Sequence, residues 1–253
     1  MNQTIQTQLQ HRSIRRFKNT PLKKEEIELL IQVAQRAATS SYMQACSVIS
    51  ITDDTLKQAL AQISGQPYVS ENGHLFMFVA DTARNAEIAR TQGAEPIYQG
   101  TTDRFLAGVY DATIACQNMV VAAESLGMGT VYLGSILNDV EKVIELLQLP
   151  KLTFPVFALA VGWPDQTPQH KPRLPSAIMH MENRYVPISE QQAALAEYDR
   201  ELTAYYQSRS DNVRAETFSH MATEYTRSQQ AKRTQIAHIL RKQGFLSELE
   251  ENP

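Results

Sequence analysis

Apolar positions along the chain alternate between stripes at helical spacing and short continuous runs. Behind Pro21, the residues Ile27, Leu29, Leu30, Val33, Ala34 and Ala37 recur at helical spacing, with Glu25, Glu26 and Glu28 in the first turns. This predicts a helix that runs into the hydroxyl cluster Thr39-Ser40-Ser41. A strand follows over 47–52, then a helix over 55–63 capped by Asp53 or Asp54 and broken at Gly65-Gln66-Pro67. The run 75–80 (LFMFVA) reads as a second, buried strand. A long helix is predicted over 103–126, with small residues Ala107, Ala112, Ala115, Ala122 and Ala123 on its buried side. Such a side suits the middle of a core or a dimer interface. Gly127 stops it. Strands over 129–133 and 154–161 flank a helix that begins at Asn138 or Asp139 and ends at Leu147. After Trp163, four prolines (Pro164, Pro168, Pro172, Pro175) predict a stiff extended loop, and from Ser189 onward the chain is helical and polar. The alternation of strands and helices, taken alone, points to a parallel, doubly wound sheet.

Length and composition bound the function. The chain has 253 residues, 43% of them hydrophobic, which fits one large domain or one domain with an appendage. Its polar C-terminal region is expected to wrap onto the main domain or onto a second subunit. Net charge is −3 and the pI is near 6.1, which argues against nonspecific nucleic-acid binding. Cys46 and Cys116 lie far apart in apolar segments, so a reducing compartment is the simplest expectation. No apolar signal-type segment opens the chain, and no uninterrupted apolar run approaches a membrane span. A cytoplasmic protein without membrane or nucleic-acid partners is expected.

Charge sharpens the picture at the N-terminus. No acidic residue precedes Glu25, yet Arg12, Arg15, Arg16, Lys18, Lys23 and Lys24 all fall there. Clustered arginines beside His11 and Ser13 suit a local anion such as a phosphate, or the polarised oxygens of a ring; a solvated basic arm is the alternative. Lys171 and Arg173, on one side of an extended segment, form a second basic pair. Thr39, Ser40 and Ser41 offer hydroxyls for a polar ligand or for helix capping. Gly134 and Ser135 end a buried strand and can bring backbone N–H groups close to a flat ligand, or form an ordinary turn. Arg209 and Arg214 share a polar loop. Phosphate-loop, zinc-protease, dinucleotide-fingerprint and nucleophile-elbow motifs are absent from the sequence, and the six histidines lack metal-ligand spacing. No catalytic side chain and no metal are expected.

Six segments in order, HRSIRRF (11–17), ATSSYMQ (38–44), AAESLGMGTVYLGS (122–135), LAVGWP (159–164), KPRLP (171–175) and YYQSRSDN (205–212), span almost the whole chain. The chain resembles the oxygen-insensitive, NADPH-dependent FMN nitroreductases, including the bacterial NADPH–flavin oxidoreductases of the flavin reductase P type. The resemblance implies an α+β fold with a central mixed, largely antiparallel sheet flanked by helices. It implies an intertwined homodimer with FMN at the interface. It divides the chain into an FMN-binding core (1–188) and a C-terminal helical arm (189–253) that wraps the partner. His11, Arg12, Ser13 and Arg15 match the flavin motif, with Arg15 placed at the flavin N1/O2 edge as electrostatic support. Lys171 and Arg173 match phosphate contacts. Thr39, Ser40, Ser41 and Gln66 match flavin-contacting positions. Tyr132, Leu133, Gly134 and Ser135 match the strand end lining the isoalloxazine, where relatives commonly carry Gly at position 135, so Ser135 is expected to narrow the pocket. Arg209 and Arg214 match the arginines that recognise the NADPH 2′-phosphate; Asp211 between them makes a moderate NADPH preference the expectation. The implied activity is ping-pong two-electron hydride transfer from NADPH through FMN to nitroaromatic, quinone or flavin acceptors. Release of free reduced FMN to a partner enzyme, and noncatalytic flavin binding, are the alternatives.

Overall fold

The computed structural model describes residues 1–209, 213–227 and 233–248. In chain order the elements are α1 (Gln3–Leu9), α2 (Lys24–Ala34), β1 (Cys46–Ile51), α3 (Asp54–Ser64), β2 (His74–Asp81), α4 (Ala83–Thr91), α5 (Thr102–Ser125), β3 (Gly129–Leu133), α6 (Val140–Leu146) and β4 (Thr153–Gly162). Then come α7 (Ser176–Met179), α8 (Gln192–Gln207), α9 (Phe218–Arg227) and α10 (Ile236–Lys242). Contacts divide the chain into two compact units, Met1–Pro168 with Lys232–Pro253, and Gln169–Ala231.

The sheet runs β1-β2-β4-β3 with every neighbouring pair antiparallel. The parallel doubly wound arrangement suggested by element alternation is therefore wrong, and the α+β fold implied by the resemblance is the one observed. Among the described residues, parallel pairing is confined to an isolated bridge between Ser13 and Thr130. Helical connections oblige strands to be parallel only when each crossover returns to the starting edge, and here they do not.

β2 is buried along its whole length, as its unbroken apolar run predicts for a central strand. Its side chains alternate between two cores. Phe76 and Phe78 face Ala112, Cys116, Met119 and Val120 of α5 and Leu30 of α2. Leu75, Met77 and Val79 face Leu60 of α3, Ile136 and Val143. The small residues of α5 serve the sheet: a Cβ on Gly108 would stand 3.0 Å from both the Ala45 carbonyl oxygen and Ala80 Cβ. α5 is long and apolar enough on average to cross a membrane, but Asp103, Arg104, Asp111 and Glu124 interrupt its apolar run. Its buried side packs on β2 and carries the charged Asp111, which marks it as a core helix. Pro155, which has no N–H to give, sits where the β2–β4 register shifts.

α10 returns to the first unit. Phe245, just beyond it, packs with Phe105 and Phe154, and Gln243 Nε2 donates to the carbonyls of Pro150 and Thr153. The second unit is built on Tyr198, Leu202 and Tyr206 of α8, packed with Phe218 and Met221 of α9. Asp199 caps α9 by accepting from Ser219 N–H and Oγ at 3.0 and 2.6 Å.

His74 opens β2 in a buried position, its Nε2 2.9 Å from Ser50 Oγ. Burial, helped by the Lys57 charge, lowers its pKa from 6.5 to about 4. The unfolded chain therefore binds a proton between these values that the folded chain refuses. The neutral ring's contribution is complete above pH 6.5 and is lost as pH falls toward 4, for roughly 3 kcal/mol in all. Denaturant unfolding at pH 7.5 and pH 4.5 should show a larger acid loss in the parent than in His74→Gln; equal losses would contradict this.

Candidate functional site

The N-terminal basic motif is stitched along β3. Ile14 N–H donates to the Thr130 carbonyl at 2.8 Å, Ser13 bridges Thr130, and Phe17 bridges Pro164. This close run requires glycine at 129, because a Cβ there would lie 2.5 Å from Ile14. His11 Nδ1 lies 2.6 Å from Glu124 Oε1, which also accepts from Thr130 Oγ1 at 2.9 Å. The α5 carboxylate thus orients the imidazole. The basic residues divide by role. Arg16 donates to the Asp165 carbonyl and pairs with its carboxylate. Arg12 Nη1 donates to the Pro168 carbonyl at 3.3 Å. Arg15 is exposed and, among the described residues, has no hydrogen bond or ion pair.

The hydroxyl segment hangs from Asp111, a buried α5 residue whose carboxylate accepts from Thr39 Oγ1 (2.6 Å), Ser40 N–H (2.9 Å) and Ala45 N–H (2.8 Å). Thr39 Oγ1 in turn accepts from Gln44 N–H at 2.8 Å. Thr39, expected to contact a ligand, therefore spends its hydroxyl inside the loop. The hydroxyls of Ser40 and Ser41 are exposed and have no partner among the described residues. Ser41, Tyr42 and Gln44 adopt φ of 50°, 60° and 50° without being glycine, a conformation that costs about 1–2 kcal/mol per residue unless neighbours hold it. Asp111 is one such neighbour, and Arg84, which donates to the Gln44 carbonyl, is another.

At the end of β3, Leu133 is buried in the core, leaving its backbone for contact, while the Tyr132 hydroxyl donates to Gln117. Gly134 is exposed, and a Cβ there would meet nothing nearer than Arg233 Nη1 at 4.0 Å. Ser135 does not present a free hydroxyl: its Oγ lies 2.5 Å from that of buried Ser64. Gln66, half-buried, precedes a tight turn at Pro67–Val69 that Asn72 braces from its side-chain amide. In the second unit, Arg173 donates to the Lys171 carbonyl at 2.8 Å, and Lys171, Arg209 and Arg214 gather around Tyr206. Ser210 and Asp211 lie outside the described residues.

Three residues of the site escaped the sequence reading. Asp111 and Glu124 anchor the two candidate segments, and a lone acid on the apolar side of a helix was their signal. Arg233, which donates to Asn138 Oδ1 at 3.0 Å, reaches Gly134 only through the fold. Taken together, unspent hydroxyls, an exposed cation and an open glycine at a strand end fit a large polar anion with a flat ring, and FMN is such a group.

A fold and a site of this kind define an α+β protein equipped for a flavin-like ligand. The Nitroreductase family model matches residues 9–163, and the model for the family's C-terminal domain matches residues 171–248. The chain belongs to the nitroreductase family. It is 41% identical over 249 residues to a Bacillus subtilis protein named FMN reductase (NADPH), covering 97% of this chain and 99% of that one. It is 44% identical over 215 residues to a Staphylococcus aureus NADPH-dependent oxidoreductase, covering 83% and 85%. The structure of the NfrA1 nitroreductase from B. subtilis superimposes with a TM-score of 0.91 at 39% identity, covering 96% and 99%. That of the NADPH:FMN oxidoreductase from Vibrio harveyi, complexed with NAD+, gives 0.85 at 33%, covering 98% and 100%.

Proposed function

We propose that this chain is an FMN-dependent NADPH oxidoreductase that delivers electron pairs to nitroaromatic, quinone or flavin acceptors, and that it works as a cytoplasmic homodimer. The observation that carries the reading is the unspent donor set: Arg15, the Ser40 and Ser41 hydroxyls, and the open backbone at Gly134. The names of the B. subtilis and S. aureus relatives support it. FMN, when bound, supplies hydride transfer between nucleotide and acceptor, while the protein supplies orientation and charge. His11, Arg12 and Ser13 would hold the phosphate and its approach, and Lys171 and Arg173 keep the phosphate assignment given by the resemblance. Arg15 would place positive charge at the flavin's pyrimidine edge. Ser40, Ser41 and Gln66 would hydrogen-bond its polar rim. Backbone groups at 132–135 would lie against the ring, with Arg233 beside them. Thr39 would act by shaping the loop. Arg209 and Arg214 would recognise the 2′-phosphate of NADPH. No side chain is required as nucleophile or general base.

The length of α5 supports the dimer. The hydroxyl segment hangs from Asp111 and His11 from Glu124. About 20 Å of helix separates these anchors. One copy therefore offers the two segments far apart, and a second copy would bring its hydroxyl segment to the first copy's N-terminal motif. Leu106, Tyr110 and Ile114 make an exposed apolar stripe on α5 suited to such an interface. Titration with FMN, followed by absorbance and by light scattering, tests both parts. A yellow dimer is expected; a monomer, or a protein that takes up no flavin, would sink the reading.

A further inference from the structure

The second unit holds a cluster that listing Arg209 and Arg214 as nucleotide contacts does not explain. Tyr206 is 3% exposed and is packed into the core of that unit with Tyr198, Leu202 and Met221. Three cations surround its ring: the Arg214 guanidinium at 4.2 Å from the centroid, the Lys171 ammonium at 5.3 Å and the Arg209 guanidinium at 6.0 Å. Arg209 is also 6.0 Å from the ring of Tyr205, which meets Tyr206 edge-on at 5.3 Å. The Tyr206 hydroxyl and Arg214 Nη2 both point to Met221 Sδ, each at 3.8 Å. None of the three cations has an ion pair among the described residues.

Like charges gathered together repel one another, and among the described residues no acid pairs with them, so another group must offset the repulsion. The negative face of an aromatic ring does this for cations within about 6 Å. The ring is itself fixed by packing, so the guanidiniums it carries are held near one another before any anion arrives. Long side chains ordered in advance lose less freedom on binding. Burial raises the Tyr206 pKa, but hydrogen bonds from Lys171 and Arg214 and their charges outweigh it and lower the pKa. The hydroxyl therefore experiences a net positive field from these two cations.

We propose that Tyr206 is the positioning residue for nucleotide selectivity: its ring assembles Arg214 and Arg209 into one receptor for a phosphate monoester dianion, the 2′-phosphate that separates NADPH from NADH. The inference rests on the NADPH reading above. It assigns discrimination to the platform as well as to the two arginines, and it makes the electron density of the ring a determinant of KM.

The test uses FMN-loaded protein and leaves the size of the side chain nearly constant. Tyr206→Phe keeps the ring face, and KM for NADPH should stay within about threefold of the parent. A fluorinated phenylalanine installed at the same position withdraws the negative face without changing the fit. It should raise KM for NADPH about tenfold over the Phe variant, with kcat held. The inhibition constant of 2′,5′-ADP should rise in step, while that of 5′-AMP should not. An unchanged NADPH KM on fluorination, or equal losses with NADPH and NADH, would overturn the proposal. If the parent oxidises neither nucleotide, the oxidoreductase reading itself fails. Calorimetric binding of 2′,5′-ADP to the same proteins then judges Tyr206 alone, against the same expected tenfold loss.

Discussion

Asp111→Ala is expected to lose both stability and flavin. Its carboxylate accepts from one hydroxyl and two backbone N–H groups, and nothing in an alanine replaces it. Hydrogen bonds to a charged group contribute about 1.5–3 kcal/mol each, and a buried donor left unmade costs about 1–3 kcal/mol. Water entering the gap recovers part of this, so a loss of roughly 3–4 kcal/mol is expected. At about 2–4 °C per kcal/mol for a chain of this size, the melting midpoint should fall by roughly 10 °C. The loop would also lose one restraint on its three left-handed residues, Ser41, Tyr42 and Gln44. Ser40 and Ser41 would then cease to be presented in one geometry, and FMN affinity should drop at least tenfold. Asp111→Asn keeps the shape and one acceptor oxygen, so it should fall between. Calorimetry of the apoprotein and FMN titration measure the two effects separately. A variant that melts early yet binds FMN like the parent would remove this loop from the flavin site.

Arg15→Ala should behave in the opposite way, losing flavin and no stability. Arg15 is exposed and has no partner among the described residues, so its removal should change unfolding by less than about 0.5 kcal/mol. A guanidinium that bonds the electron-rich edge of FMN contributes about 1.5–3 kcal/mol, or roughly tenfold to a hundredfold in affinity. The same positive charge favours the form of the flavin that carries more negative charge, so the potential of the bound flavin should fall in the variant. Spectrophotometric titration against a redox dye reads that shift. An unaltered dissociation constant and potential would reduce Arg15 to a surface charge.

Much of the fold was legible because its core elements are strongly patterned. Asp53 caps α3 and Asp139 caps α6, both among the residues named from sequence. The strands at β1 to β4 fall within a residue or so of their apolar runs. α1 and α4 escaped because they bury almost nothing: α1 has no buried residue and α4 has Ala86 alone, so neither carries a hydrophobic stripe. Strand direction escaped because alternating elements reveal that connections contain helices, not which way the next strand runs.

The candidate site was legible as a set of segments rather than as geometry. The basic run gave no hint that Arg16 is paired with Asp165 while Arg15 stays without a partner among the described residues. The hydroxyl cluster read as three equivalent donors, yet one is consumed by Asp111. Ser135 read as an obstruction in a pocket, but its hydroxyl is turned to Ser64. Each difference arises from a partner more than sixty residues away in sequence, which local pattern cannot register.

The central claim is that this chain passes electrons from NADPH through FMN. Anaerobic stopped-flow mixing of the FMN-loaded protein with NADPH tests it most directly. The account predicts that flavin absorbance near its visible maximum bleaches, faster with NADPH than with equal NADH, and returns when a quinone is added. A protein that holds FMN while NADPH leaves its absorbance untouched would contradict the account.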